Sequence, residues 1–179
     1  MKLTESTTNR AQSNQNLNCR GAKEKEIFIS QHFQLSEFTR SGTASRYGIN
    51  NSLNPDNPQH AEIIANIKAL CTEVLDPLRQ HLNRPVVISS GYRCPQLNNH
   101  PEVRGATKSQ HMKGEAADLR IPSLSEGRRW MEWIANELAF DQLILEHCKN
   151  KDGSTSHWIH VSYSRKSNRQ YMISSMWKK

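Results

Sequence analysis

Ile63, Ile67, Leu70, Val74, Leu78 and Leu82 follow one another at steps of three and four. That spacing predicts one long amphipathic helix from about residue 59 to Leu82, with an apolar stripe that has to be covered. Pro77 falls inside the stretch and should kink or split it, because proline removes a backbone donor and crowds the preceding turn. The remaining apolar runs are shorter, and the longest have the length of strands. Pro85 opens the β-branched run Val86-Val87-Ile88, which ends at Ser89-Ser90-Gly91 and reads as a buried strand.

Ahead of the helix, Phe33 to Phe38 opens the ordered part, with Ser36 as the expected cap of a short helix. Residues 50–58 hold four Asn and two Pro and read as a loop. A polar stretch from Tyr92 to Lys113 is too long for a simple turn, and such stretches in compact domains are functional or disordered. Ala116 to Ile121 reads as a second strand. Ser123-Leu124-Ser125-Glu126 has capping-box spacing and starts a helix through Trp130, Trp133, Ile134 and Leu138. Phe140 to Leu145 and His157 to Tyr163 read as a third and a fourth strand, separated by the polar loop Lys149 to Ser156. Arg169 to Ser174 adds a candidate edge strand. Short helices and strands interspersed and linked by loops favour an α+β fold over a parallel α/β sheet.

Charge divides the chain. The 179 residues carry 24 Lys and Arg against 17 Asp and Glu, a net +7. Residues 1–26 hold five bases and three acids in a polar stretch without hydrophobic period, which reads as a disordered leader. Residues 165–179 hold five bases and no acid, and residues 27–164 are neutral with 14 of each. The body is therefore not a basic nucleic-acid domain, and no specific nucleic-acid partner is expected. The basic ends read either as solvated tails or as contacts to a polyanion such as cell wall, nucleic acid or acidic membrane. No window approaches the run of about 20 apolar residues that a membrane-spanning helix needs. Residues 1–26 also lack the apolar run of a secretory signal, so synthesis in the cytoplasm is expected. Cys19, Cys71, Cys94 and Cys148 have no C-x-x-C spacing and do not make a disulfide scaffold or a cysteine-rich zinc site. Cys94 beside Arg93 and Cys148 beside His147 have no other support as nucleophiles.

The chemistry lies among the eight histidines and their neighbours. His111 precedes Asp118 by seven residues, a separation of about 10 Å along a straight helix, so the two share a metal only if the chain turns between them. Gly114 permits that turn. His160 on the fourth strand completes a set of two imidazoles and a carboxylate, which suits a catalytic zinc site with three protein ligands and water. Strand alternation puts Trp158 on the face of His160 and His157 on the other, which favours His160 as ligand and leaves His157 at the strand edge as an alternative. Asp118, in an otherwise apolar strand, needs a partner, and Arg93 or Arg120 in an ion pair is the plainer choice beside a metal.

These residues carry a resemblance. Ser109-x-His111-x-x-Gly114-x-Ala116-x-Asp118, followed by Trp158-Ile159-His160-Val161-Ser162, resembles the zinc D-Ala-D-Ala carboxypeptidase family. Related to it are the D-Ala-D-Ala dipeptidases of vancomycin resistance, the L-Ala-D-Glu endolysins of bacteriophages and the zinc fold of Hedgehog signalling domains. Phe33-x-Leu35-Ser36-Glu37-Phe38, Ile88-Ser89-Ser90-Gly91-Tyr92-Arg93 and Phe140-Asp141-Gln142-Leu143-Ile144-Leu145-Glu146 extend the resemblance over about Phe33 to Tyr163. The chain is most similar to the short single-domain members of phages and prophages.

The resemblance implies a small antiparallel sheet with flanking helices, and one zinc ion on its face held by His111, Asp118 and His160. It implies a peptidase domain over residues 27–164, acting on peptidoglycan stem peptides as a carboxypeptidase or an endopeptidase, and a monomer is expected. Two residues compete as general base. Glu146, at the expected end of the third strand, looks like the glutamate at the matching strand end of Hedgehog-type domains. Many peptidase members instead place an acid three residues before the last zinc histidine, where this chain has His157. Glu146 is the favoured base, with His157 polarising or stabilising the tetrahedral intermediate. Arg93 follows the Ser-Ser-Gly turn and matches a family arginine that orients substrate, or else pairs with Glu115 or Asp118. Ser109 matches a serine near the substrate, and Trp158 lines the pocket or belongs to the core. The expected role is that of a phage or prophage wall-lytic enzyme, reaching the wall through a membrane pore, after lysis begins or inside a particle. The alternative is a non-catalytic zinc-binding module attached to wall or virion.

Overall fold

The computed structural model describes residues 26–164 and 169–173. The expected leader, apart from Glu26, and most of the basic C-terminal segment lie outside the described residues.

The fold is α+β, with helices packed on one face of a sheet ordered β1-β2-β4-β3-β5. Its strands are β1 (Val87–Ser90), β2 (Ala116–Arg120), β3 (Gln142–Lys149), β4 (Thr155–Ser162) and β5 (Gln170–Ile173). The first four pair antiparallel, and β5 adds a parallel edge against β3. Residues 170–173 thus join the sheet from within the segment that charge alone sets apart.

The long helical stretch is present but changes pitch. A 3-10 turn, Pro58–His60, leads into α3 (Ala61–Leu70), a π-helical turn Cys71–Leu75 and α4 (Asp76–Leu82). Asp76 N–H bonds Cys71 O five residues back, and Pro77 then sits in the first turn of α4, where a missing N–H costs least. The disruption expected of Pro77 is met by widening the preceding turn. Ile67, Leu70, Val74, Leu75 and Leu78 are all fully buried. They meet Ala117, Leu119, Ile159, Val161, Leu143 and Leu145 from the sheet, and α6 (Leu124–Glu137) adds Trp130, Met131 and Ile134. Each fully buried side chain of this size contributes about 1.5–3 kcal/mol. Ser123 caps α6 as its spacing predicts, its hydroxyl accepting Glu126 N–H at 3.2 Å.

Several elements differ from expectation. Helix α1 (Leu35–Thr39) is capped by Gln34, not Ser36: Gln34 N–H donates to Glu37 Oε1 at 2.9 Å, a capping box one turn long. Helices α2 (Gly42–Tyr47) and α5 (Pro95–Asn98) and the 3-10 turn Gln110–Lys113 occupy stretches too short to show a helical period. β1 is a sheet edge rather than a buried strand; Val86 is buried, but Val87 is 50% exposed. β2 is buried on both faces except at Arg120, as befits an interior strand. β3 runs four residues past Leu145, so Glu146 lies inside the strand and not at its end. Among the described residues no helix is long and apolar enough to cross a membrane.

Candidate metal centre

The turn that brings His111 toward Asp118 is made by Gly114, which ends the 3-10 turn with φ at 72°. Asp118 on β2 stands opposite His160 on β4, and residues directly opposite in an antiparallel pair project to the same face. This face is the one turned away from the helices. It carries Asp118 and Arg120 from β2, Trp158 and His160 from β4, and Ile144 and Glu146 from β3.

Three donor atoms converge there. His111 Nε2 lies 3.2 Å from Asp118 Oδ1 and 3.3 Å from His160 Nδ1, and His160 Nδ1 lies 3.0 Å from Asp118 Oδ1. Tetrahedral zinc with bonds of about 2.0–2.2 Å keeps its ligands about 3.3–3.6 Å apart, so the triangle fits such an ion within a few tenths of an ångström. All three side chains are buried. His111 Nδ1–H donates to Gly91 O at 2.7 Å, which leaves Nε2 as the donor facing the site. Gly91 is fixed there by close approach: a Cβ on it would stand 2.6 Å from Phe38 Cα. Three protein ligands leave a fourth position for water or substrate, the arrangement of catalytic rather than structural sites.

Asp118 uses its oxygens separately. Oδ1 faces the imidazoles, and Oδ2 accepts from Arg93 Nη2 at 2.8 Å, while Arg93 Nε donates to Ser90 Oγ at 3.0 Å. The sequence leaves Arg93 between a substrate contact and an ion pair; the structure shows the ion pair, in a side chain that still lines the cleft. Burial raises the Asp118 carboxyl, but the two facing imidazoles outweigh it and hold the group well below the usual carboxylate range.

An open cleft of about 1230 Å³ contains the triad, and Glu146, Arg93, Ser109 and Trp158 line it with the ligands. The Glu146 carboxyl is raised above its ordinary range by burial and then by the nearby Asp118 charge. Trp158 is its cross-strand neighbour, with a buried indole N–H. His157 is placed elsewhere. It stands opposite His147 on the helix-side face of the sheet, with ring centroids 5.8 Å apart, and borders a separate smaller hollow. The alternation that set it apart from His160 also removes it from Glu146.

Residues that sequence reasoning passed over complete the surroundings. Ser90 and Gly91 belong to a quoted motif, yet their parts, a hydroxyl on Arg93 and a carbonyl on His111, leave no mark on composition. Gln110 hydrogen-bonds the buried Asp141 at the head of β3, tying the turn that carries His111 to the sheet.

A family model described as Peptidase M15 matches residues 31–162, which span every element from α1 to β4. A search of curated proteins gave no match, and a search of solved structures gave none.

Proposed function

Because the chain belongs to the peptidase M15 family, we propose that it is a zinc peptidase hydrolysing peptide bonds of peptidoglycan stem peptides, as a wall-lytic enzyme of phage type. The observation that carries this is the buried His111, Asp118 and His160 triangle opening on a cleft that also holds Glu146. A zinc ion held by these three residues would polarise a carbonyl and acidify water. Glu146, on the same sheet face two strands from Asp118, is the group in the cleft suited to accept the proton, since burial keeps its affinity for one high. Arg93 holds Asp118 by one oxygen and keeps guanidinium edges for a substrate carbonyl or carboxylate. A module that only stores metal has no use for a partly buried carboxylate beside the site, and Glu146 therefore supports catalysis over the non-catalytic alternative.

The test is peptide release from purified peptidoglycan by zinc-loaded protein, with His111→Ala alongside and metal content measured in both. Release that depends on zinc and is lost in the variant is expected. Equal release by both proteins, or release indifferent to a chelator, overturns the reading.

A further inference from the structure

The cleft extends from the triad between residues 40–46 and residues 103–109, and its charge is lopsided. The neutral body gives it six Lys or Arg and only three Asp or Glu. Three of the cations are engaged: Arg46 pairs with Glu102 at 2.9 Å, Arg93 with Asp118, and Arg79 donates to His32 O at 3.2 Å. Arg40, Arg104 and Lys108 remain, exposed and in no ion pair among the described residues. On the acid side Glu37 is taken by Gln34 N–H, and Asp118 by Arg93 and the imidazoles.

The loop that carries Arg104 is built to hold its shape. Arg104 has φ at 50°, in the left-handed region that costs a non-glycine residue about 1–2 kcal/mol. His100 O accepts N–H from Val103 at 2.8 Å and from Arg104 at 2.9 Å. Gly105 N–H donates to Asn98 O at 2.9 Å, and Asn98 Nδ2 to Ala106 O at 3.0 Å, with Asn98 fully buried. Among the described residues Asn98 Oδ1 is buried without a partner, a second local cost. Arg104 Nε is fixed on Pro101 O at 2.9 Å, which leaves both Nη groups as donors for the cleft. A strained, internally hydrogen-bonded loop that presents cations without ion pairs to the cleft of a candidate metal centre has the form of a recognition wall.

We propose that Arg40, Arg104 and Lys108 form a subsite for substrate carboxylates, so that the enzyme selects peptides bearing free carboxylates away from the scissile bond. The proposal rests on the peptidase reading above and deepens it. Guanidinium forks take a carboxylate through two parallel bonds, and the lysine adds an adjustable point charge.

The experiment uses two peptides of one sequence, with side-chain carboxylates free in one and amidated in the other. Hydrolysis is followed with wild type, and binding by calorimetry with zinc-loaded Glu146→Gln. Three exposed contacts together should favour the free peptide by about tenfold in KM and Kd, a preference that shrinks as salt rises. In both backgrounds Arg104→Asn with Lys108→Gln, in which asparagine tolerates the left-handed backbone, should bring the preference below about threefold. Arg104→Lys should retain most of it, and thermal melts confirm that each variant is folded. Indifference of the wild type to amidation overturns the proposal, as does a preference that survives in the double variant. Selective binding without hydrolysis removes the peptidase reading and leaves the subsite standing; hydrolysis without selectivity does the reverse. Tighter binding of soluble polyglycerol phosphate than of the free peptide overturns the assignment to peptide in favour of a wall polymer.

Discussion

Arg93 Nη2 lies 2.8 Å from Asp118 Oδ2, on the opposite side of the carboxylate from the oxygen that meets the two imidazoles. Held this way, Asp118 presents one oxygen to the candidate metal position. Arg93→Ala is therefore expected to weaken zinc binding by about ten- to a hundredfold. Arg93→Lys should recover part of the loss, because it keeps the charge and loses the fork. Competition with a chromophoric chelator measures both. Affinity equal to wild type in Arg93→Ala would assign Arg93 wholly to substrate.

As the proposed general base, Glu146 should set the acid side of the pH profile. A general base works only when ionised, and burial raises this carboxyl. Activity should thus fall as pH drops through a value above the roughly 4.3 of a free glutamate. Glu146→Gln should lower kcat/KM by about 10²–10⁴ while metal content stays stoichiometric. Activity within tenfold of wild type would place the base elsewhere.

His157 offers the matching control. Its ring lies against His147 on the helix-side face, away from the cleft. His157→Ala should leave kcat/KM within about a few-fold, with any effect seen in the melting temperature instead. A loss as large as that of Glu146→Gln would restore His157 to the reaction.

Gly91 links the helical layer to the metal centre. A methyl at this position meets the Phe38 backbone at 2.6–2.7 Å, so Gly91→Ala must shift either α1 or the carbonyl that holds His111. The expected cost is about 1–3 kcal/mol in a denaturant melt of the metal-free protein, with weaker zinc binding besides. Stability unchanged and affinity unchanged would contradict the close approach.

The candidate ligands are legible in the sequence because each depends on a local rule. Gly114 allows the turn after His111, Asp118 interrupts an apolar strand, and alternation separates His160 from His157. The sequence singles out Glu146, which lines the cleft, but not its setting inside a strand. The apolar signal of β3 stops at Leu145, whereas pairing with β4 continues through Lys149 on backbone hydrogen bonds that His147 and Cys148 neither help nor hinder. The same blindness to partners made β1 look buried, since a β-branched run does not reveal that one side of its strand has no neighbour. Helices α2 and α5 span at most six residues and carry too little of a period to read. The engagement of Arg93 by Asp118 joins residues 25 apart, and local pattern leaves it as one option among several.

Strand β4 lies between β2 and β3, although it follows both in the chain. His111 and Asp118 come from neighbouring stretches, whereas His160 arrives only when the β3–β4 hairpin slots against β2. A chain caught before that insertion offers two donors and holds a metal poorly. Ion capture would therefore require that the sheet has closed, and a metal ion in the surroundings should pull late folding forward by mass action. Loss of the ion should loosen first the seam between β2 and β4, where the last donor is delivered, making this seam the place where apo and loaded protein differ most in amide exchange.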